Sequence, residues 1–474
     1  MSELSPKLID RIHGLVHEYG QQHVLEFWDR LTEQQQVALT SQLAQIDFPL
    51  VQSLFEQHRQ AKDSVGSGRD LSTLAPPKSI RLNDNNVLSY EQAYATGEEL
   101  LQAGRVGVVI VAGGQGSRLG FNHPKGLFPI GPLSERTLFE FILDKLAGYE
   151  NKYQTRIPLF IMTSPTVHAE TVAYFQSRNF FGRSDRIEFF CQNTMPAVDA
   201  SDGKLLLKST YEIFSSPNGH GGMLEAMQQQ EILARCAEQE IDTLFYGQVD
   251  NPLSPTCSPA LLGYHAASDA EVTLQTIAKQ SADDRTGNIV SLNDRTQIIE
   301  YSEMPDEFAR QLDDQNQLKY WAANIAVHVF QTGFLQTVAT TGGLPYHFAR
   351  KRVNHINQDG ALVTPDAPNA IKFERFIFDL LPLAESTVTV EAERQFVFAP
   401  VKNSDSAGFS SPQTSREGIG SLHRHWLQTA GCSVNAETVV EIHPAYAVDL
   451  PHLLQRKDIP LAITQDTYLC EPEN

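Results

Sequence analysis

Gly113, Gly114, Gly116 and Gly120 crowd into one short stretch of this sequence, with Arg118 among them and Pro124-Lys125-Gly126 close behind. Glycines after a strand let backbone N–H groups approach an anion that a Cβ would hold off. An arginine forks onto phosphate oxygens, and a lysine serves them as a point charge. A surface turn uses one or two glycines, not four beside a basic pair, so the stretch points to phosphate chemistry. The two familiar phosphate loops do not fit it. The dinucleotide fingerprint needs G-x-G-x-x-G at the start of a helix, whereas Gly114, Gly116 and Gly120 give G-x-G-x-x-x-G in a loop that runs on through Pro124. The P-loop needs Gly-Lys followed by Ser or Thr, and here Lys125 precedes Gly126. Farther along, Asp250 closes an apolar run and is followed by Asn251. A carboxylate at the carboxyl end of a parallel strand lies where such sheets bind ligands, and Mg2+ takes few protein carboxylates beside substrate phosphates. Asp250 is therefore the candidate metal ligand, with a helix N-cap as the plainer reading. Lys372 and Lys402 each stand between apolar residues; taken alone, such a lysine is a strand residue facing solvent.

These groups need a frame, and the hydrophobic pattern supplies one. Val106–Val111 is a continuous β-branched run suited to a strand buried on both faces, and the glycine loop follows it directly. Leu138–Leu146 has helical spacing, Pro158–Thr163 reads as a strand, Thr166–Asn179 as a helix, and Ile187–Cys191 and Thr243–Gly247 as further strands. The alternation predicts an α/β domain with a largely parallel sheet and helices on both faces. Glu271–Tyr301 is strand-rich, with turns at Asp283–Gly287 and Asn293-Asp294 that suggest hairpins. Ahead of the sheet, Leu8, Ile12, Leu15, Val16 and Tyr19 recur at helical spacing, Thr32 with Gln35 makes a capping box, and Lys62–Asp70 is a polar, Gly/Ser-rich break. Beyond it, Thr387–Val390, Phe396–Ala399 and Val439–Ile442 are short β-like runs, with one helix near Gly418–Thr429. The expected organisation is an N-terminal helical region over 1–100, a central domain over 101–385 and a small β-rich region over 386–474.

Composition closes off several classes of function. At about 150 residues per domain, 474 residues allow roughly three domains. Hydrophobic residues at 41% and charged residues at 20% are ordinary for a globular chain. The balance of 37 basic against 57 acidic residues gives −20. That argues against a nucleic-acid or anionic-membrane binder, while leaving room for a local basic cluster around a small anion. No apolar run approaches the ~20 residues of a bilayer span, and the first residues lack the basic-then-apolar layout of a signal peptide. Cys191, Cys236, Cys257, Cys432 and Cys470 show no C-x-x-C spacing, so neither a disulfide scaffold nor a thiolate zinc site is expected. The expectation is a cytoplasmic protein; the oligomeric state stays open, with a monomer slightly favoured.

In the form Ala-Gly-Gly-Gln-Gly-Ser-Arg-Leu-Gly … Pro-Lys-Gly the loop resembles the signature of the sugar-nucleotide pyrophosphorylases, and most closely the UDP-N-acetylhexosamine branch of the eukaryotic-type UDP-sugar pyrophosphorylases. The resemblance continues in order through Gln192 with Met195-Pro196-Ala197, Gly219-His220-Gly221-Gly222, Val249-Asp250-Asn251, Gly287, Ile299–Glu303, Ala323-Asn324-Ile325, Ala370–Glu374 to Asp379, and Pro400-Val401-Lys402-Asn403. It implies a Rossmann-like, GT-A-like nucleotidyltransferase fold with a mixed, mostly parallel sheet. It also implies a uridylyltransferase that makes UDP-sugar and pyrophosphate from UTP and a hexose 1-phosphate, foremost N-acetylglucosamine 1-phosphate, with Mg2+ or Mn2+ as cofactor.

Such a reaction needs no nucleophile–base pair. A phosphate oxygen of the sugar phosphate attacks the α-phosphorus directly, and catalysis is positioning plus charge neutralisation. On the resemblance, Arg118, Lys125 and Lys402 serve the triphosphate and the departing pyrophosphate, and Lys372 reaches the nucleotide phosphates. Val111, Ala112, Gly113 and Gly114, with Gln192 and Gly219, meet the uracil, to which a Gln amide offers both donor and acceptor. Gly287, Glu300 and Asn324 meet the sugar. One departure bears on that sugar: the N-acetylhexosamine branch usually has Asn where this chain has His220, whereas Gly-His-Gly occurs in the UDP-glucose and broad-specificity relatives. Glucose or galactose 1-phosphate is therefore the alternative substrate. The glycine spacing disfavours an NAD-dependent oxidoreductase, and the joint presence of Arg118, Lys125, Asp250, Lys372 and Lys402 disfavours a non-catalytic UDP-sugar sensor.

Overall fold

The computed structural model describes residues 6–63, 70–82, 86 and 88–471; of the polar break read over 62–70, residues 64–69 lie outside them. The described residues build two compact units. One takes those within Met1–Asp70 together with Asn193–Gly222 and Leu344–Ile377, the other those within Leu71–Gln192, Met223–Gly343 and Phe378–Asn474.

The larger unit is organised by a ten-stranded sheet of β1 (Ser79–Ile80), β2 (Val106–Val111), β3 (Leu159–Thr163), β4 (Ile187–Cys191), β5 (Thr243–Gln248), β6 (Val272–Ala278), β7 (Asn288–Leu292), β8 (Arg295–Ile299), β9 (Ala322–Gln331) and β10 (Thr387–Ala392). Its spatial order is β1-β10-β6-β9-β5-β2-β3-β4, with the β7–β8 hairpin attached to β9. Strands β5, β2, β3 and β4 run parallel, as do β6, β10 and β1, and β9 lies antiparallel between the two sets. The expected mixed, mostly parallel α/β sheet is present. Strand β2 is buried from Val106 to Ile110. Its Val108 and Ile110 share a core with Leu101, Leu143, Leu146 and Leu261 of the helices Tyr90–Gln102, Leu138–Tyr153 and Pro259–Ala267. The unbroken apolar run is thus an interior strand whose carboxyl end delivers the glycine loop.

Two expectations about this unit are corrected. Asn293 and Asp294, both at positive φ, turn β7 into β8 as read. The turn at Asp283–Gly287 makes no hairpin, because β6 spends its two edges on β9 and β10 while β7 joins β9 through Asn288 and Ala323. The run Phe396–Ala399 is not a strand. Arg394–Val397 is a short helix, and the Asn251 amide donates to the Val397 carbonyl at 2.8 Å and accepts from Ala399 N–H at 3.1 Å. Those backbone groups are spent on a side chain and not on a neighbouring strand. Thr387–Ala392 is a strand, but of the central sheet. Farther on, the helix Pro412–Thr429 carries Leu427 into a separate small core with Val434, Val440, Ile442, Leu453 and Ile463.

The smaller unit joins helices Pro6–Glu18, Glu33–Ala44 and Phe48–Asp63 to strands far along the chain. Thr32 and Gln35 form the expected capping box. Strand Ala370–Glu374 lies between His347–Lys351 and Val198–Asp199, antiparallel to both. Ile12, Val16, Leu39 and Leu43 share one core with Val198, Leu207, Ile371 and Phe373.

Candidate active site

In the larger unit the predicted residues gather at strand ends. The loop after β2 is closed on itself: Lys125 N–H donates to Gly114 O at 3.0 Å and Gly116 N–H to His123 O at 2.9 Å. Ser117–Leu119 and Lys125–Leu127 form single 3-10 turns within it. Gly114 is exposed, and a Cβ there would meet nothing within 4 Å. The fold therefore does not demand glycine at 114; what glycine leaves there is clear approach to the backbone. Beside it, Ser164 Oγ donates to Gly113 O at 2.7 Å. The buried Gln192 places Oε1 3.1 Å from where a Gly113 Cβ would stand. Gln192 itself is held by its N–H on Thr163 O at 2.9 Å. Val111 and Ala112 lead into this corner.

Asp250 follows β5 and is buried, at 8% exposure. Its Oδ2 takes Lys125 Nζ at 3.2 Å, so the two strand-end segments are joined by an ion pair. Asp250 O accepts from Val401 N–H at 2.8 Å, and Lys402 N–H is fixed on Ser410 O at 2.7 Å. One strand end thus presents Asp250 and positions the segment that carries Lys402. Arg118 and Lys402 are exposed, and their side chains have no hydrogen bond or ion pair among the described residues. Gly287, Glu300 and Asn324 converge: Asn324 N–H donates to Gly287 O at 2.9 Å, and a Cβ on Gly287 would stand 3.4 Å from Glu300 Oε1. Burial pushes the Glu300 carboxyl above its usual range, Glu303 adds to that, and the Lys402 ammonium opposes it.

Gly219, His220 and Lys372 belong to the smaller unit. Gly219 has φ of +84°, and a Cβ on it would strike Arg375 O at 2.4 Å, so only glycine fits. His220 Nδ1 accepts from Ile377 N–H at 3.1 Å, which puts the ring proton on Nε2 when the imidazole is neutral. Lys372 holds Nζ 5.0 Å from the centre of the Phe214 ring, and burial lowers its ammonium.

The family described as UTP–glucose-1-phosphate uridylyltransferase matches residues 52–424. The chain belongs to that family. Among the uridylyltransferase relatives it is 32% identical to the UDP-N-acetylglucosamine pyrophosphorylase of Saccharomyces cerevisiae over 442 residues, covering 90% of this chain and 92% of the relative. It is 29% identical to the UDP-N-acetylhexosamine pyrophosphorylase-like protein 1 of Homo sapiens, covering 95% and 90%. The uridine diphosphate N-acetylglucosamine pyrophosphorylase of Trypanosoma brucei has the same fold, with a TM-score of 0.82 at 23% identity over 100% of this chain and 99% of that one. The nucleotidyltransferase fold expected from the resemblance is the one present.

Two supporting contacts of this corner were not foreseen in the sequence. Ser164, not singled out there, holds the Gly113 carbonyl, and Asn251, noted only as the neighbour of Asp250, clamps the 397–399 backbone. Their one shared signal is position, within three residues of the carboxyl end of a buried strand, where α/β sheets place their ligands. Among the described residues no group of three or more His, Cys, Asp or Glu is arranged to hold a metal. No helix among them is long and apolar enough to cross a membrane.

Proposed function

We propose that this protein transfers a uridylyl group from UTP to a hexose 1-phosphate, with N-acetylglucosamine 1-phosphate as the main substrate. A sugar-phosphate oxygen attacks the α-phosphorus, the bond to the β-phosphate oxygen breaks, and UDP-sugar and pyrophosphate result. The observation that carries this reading is the joined pair of strand ends: an open Gly114 backbone, with Lys125 and Asp250 3.2 Å apart in the segments that follow β2 and β5. Within the larger unit, Gly113, Gly114 and Gln192 would receive the uracil, Arg118, Lys125 and Lys402 would meet the phosphates, and Gly287, Glu300 and Asn324 the sugar. The choice of sugar is supported by the names of the yeast and human relatives.

A lone buried carboxylate suits a cation shared with substrate. Mg2+ or Mn2+ would be held by Asp250 together with phosphate oxygens, and when bound would shield charge on the nucleotide. Free thiols at all five cysteines suit a reducing compartment, and the cytoplasm is our reading. The test is pyrophosphate release from UTP across N-acetylglucosamine, glucose and galactose 1-phosphates. N-acetylglucosamine 1-phosphate should give the highest kcat/KM; no release with any of the three would remove the reading.

A further inference from the structure

Behind the Asp250 segment, within the larger unit, lies a cavity of ≈ 360 Å3. That volume is in the range of small-molecule sites. Helix Leu138–Tyr153 contributes Phe141 and Lys145 to its wall, the 252–258 segment Leu253, Phe396 the short helix after β10, and helix Pro412–Thr429 Leu422 and Trp426. Aromatic and aliphatic groups dominate, and the His425 ring stacks on Phe396 at 4.5 Å.

The polar groups of the cavity are unequally served. Three carboxylates reach it, and each already accepts several contacts from the protein. Glu441 accepts from Leu133 N–H, Ser134 N–H and the Ser134 hydroxyl. Asp449 accepts from the Tyr94 and Tyr149 hydroxyls and from His452 N–H. Asp144 pairs with Arg136 and lies 3.4 Å from His443 Nε2. Lys145 is the opposite case. Its Nζ donates to Ser254 O at 2.7 Å, and it has no ion pair among the described residues. An ammonium carries three N–H donors, so two are left without a protein acceptor. Burial lowers its pKa to about 8, against weaker opposing pulls from Cys257 and Asp449, as fits a cation without a close counter-ion. His423 also lines the cavity with Nδ1 already accepting from Ile442 N–H, so when neutral it presents Nε2–H, a further donor. The cavity therefore offers unmet donors and aromatic walls, while its carboxylates are already engaged by the protein.

We propose that this cavity is a binding site for a small aromatic carboxylate, with the carboxylate on Lys145 and the ring among Phe141, Phe396 and Trp426. A cation would have to compete with the donors that already hold the carboxylates and would face the Lys145 ammonium, and a neutral ring would leave the Lys145 donors unmet.

The probe is 2-naphthoate, titrated calorimetrically into the full-length protein, with 2-naphthamide and 2-naphthylmethylammonium as matched neutral and cationic rings. Naphthoate should bind about tenfold or more tighter than either, the scale of one charge-assisted hydrogen bond in a partly buried site. Lys145→Met should remove that preference. Leu422→Trp, which fills the cavity and keeps Lys145, should abolish binding and guards against a Met variant that fails to fold. Because UTP is itself an aromatic anion, saturating UTP serves as a control and should leave naphthoate binding intact. The proposal falls if naphthoate does not bind, binds no better than the amide or the ammonium, is displaced by UTP, or binds the Leu422→Trp variant as it does the parent. None of these readings requires uridylyl transfer, so they stand or fall separately from the proposed reaction.

Discussion

Arg118 and Lys402 are exposed cations whose side chains make no hydrogen bond or ion pair among the described residues. An exposed group without partners contributes little to folding, so Arg118→Ala and Lys402→Ala should each change unfolding free energy by no more than about 0.5 kcal/mol. Their loss should fall on the reaction, where one charge-stabilising contact is worth about 2–4 kcal/mol in kcat/KM. Thermal melts beside pyrophosphate-release kinetics separate the two effects; near-normal kinetics would reduce the loop to a turn. Asp250→Asn keeps the shape of the side chain and removes its charge from Lys125 and from any shared cation. Turnover at saturating UTP and Mg2+ should drop by about a hundred- to a thousandfold, and turnover at the parent rate would dismiss the role. At position 220, an Asn Oδ1 can still accept the Ile377 N–H, so His220→Asn should fold normally. It should raise the ratio of kcat/KM for N-acetylglucosamine over glucose 1-phosphate by about 1–3 kcal/mol. An unchanged ratio would leave His220 as a support for its glycine turn. The glycine loop was conspicuous because its residue types crowd together at a set spacing, whereas Asp250 stood out only by its place after an apolar run and by the resemblance. The contacts of Ser164 and Asn251 were not legible, since a single polar residue after a strand has no distinctive pattern.

Elements were legible where one local pattern decides them. Strands β2 and β4 occupy the spans read from their apolar runs. The capping box at Thr32 and the turn at Asn293-Asp294 are local chemistry and stand as read. Reading failed where tertiary partners decide: nothing near Phe396 in sequence announces that Asn251 will take its neighbours' backbone groups. A second consequence at this scale concerns helix Pro412–Thr429. His423 on it is buried, accepts from Ile442 N–H at 3.0 Å, and is held down to about 3 by burial, with the nearby Lys145 charge as a lesser cause. The folded pKa lies below the unfolded value of about 6.5. The unfolded chain therefore binds the extra proton between these values, and stability is lost as pH falls through about 6.5 toward 3. His423→Asn supplies an acceptor that does not titrate. Denaturant unfolding at pH 7.5 and pH 5 should show the parent losing more stability than the variant; parallel losses would refute the assignment.

At the scale of the whole chain, the three consecutive regions suggested by the sequence give a poor account of the helices at the start. They share a core with residues near 200 and near 370, and no periodicity within any one stretch can report a partner so far away. Phe373 is fully buried in that core. Phe373→Ala should cost about 3–5 kcal/mol. Hydrogen exchange should show amide protection falling together over 6–63, 193–222 and 344–377, while β2 to β5 keep theirs. A loss confined to 370–374 would mean the smaller unit does not open cooperatively.

That discontinuous core also sets a timetable for synthesis. Ile12, Val16, Leu39 and Leu43 leave the ribosome early, yet their partners Ile371 and Phe373 emerge only after the greater part of the chain has been made. Until then part of an apolar face waits in the cell without its native cover, the condition under which nascent chains aggregate or recruit chaperones. The helices within 6–63 are thus finished well after they are made. A slowly translated message would betray itself in these helices, far from the point where translation faltered.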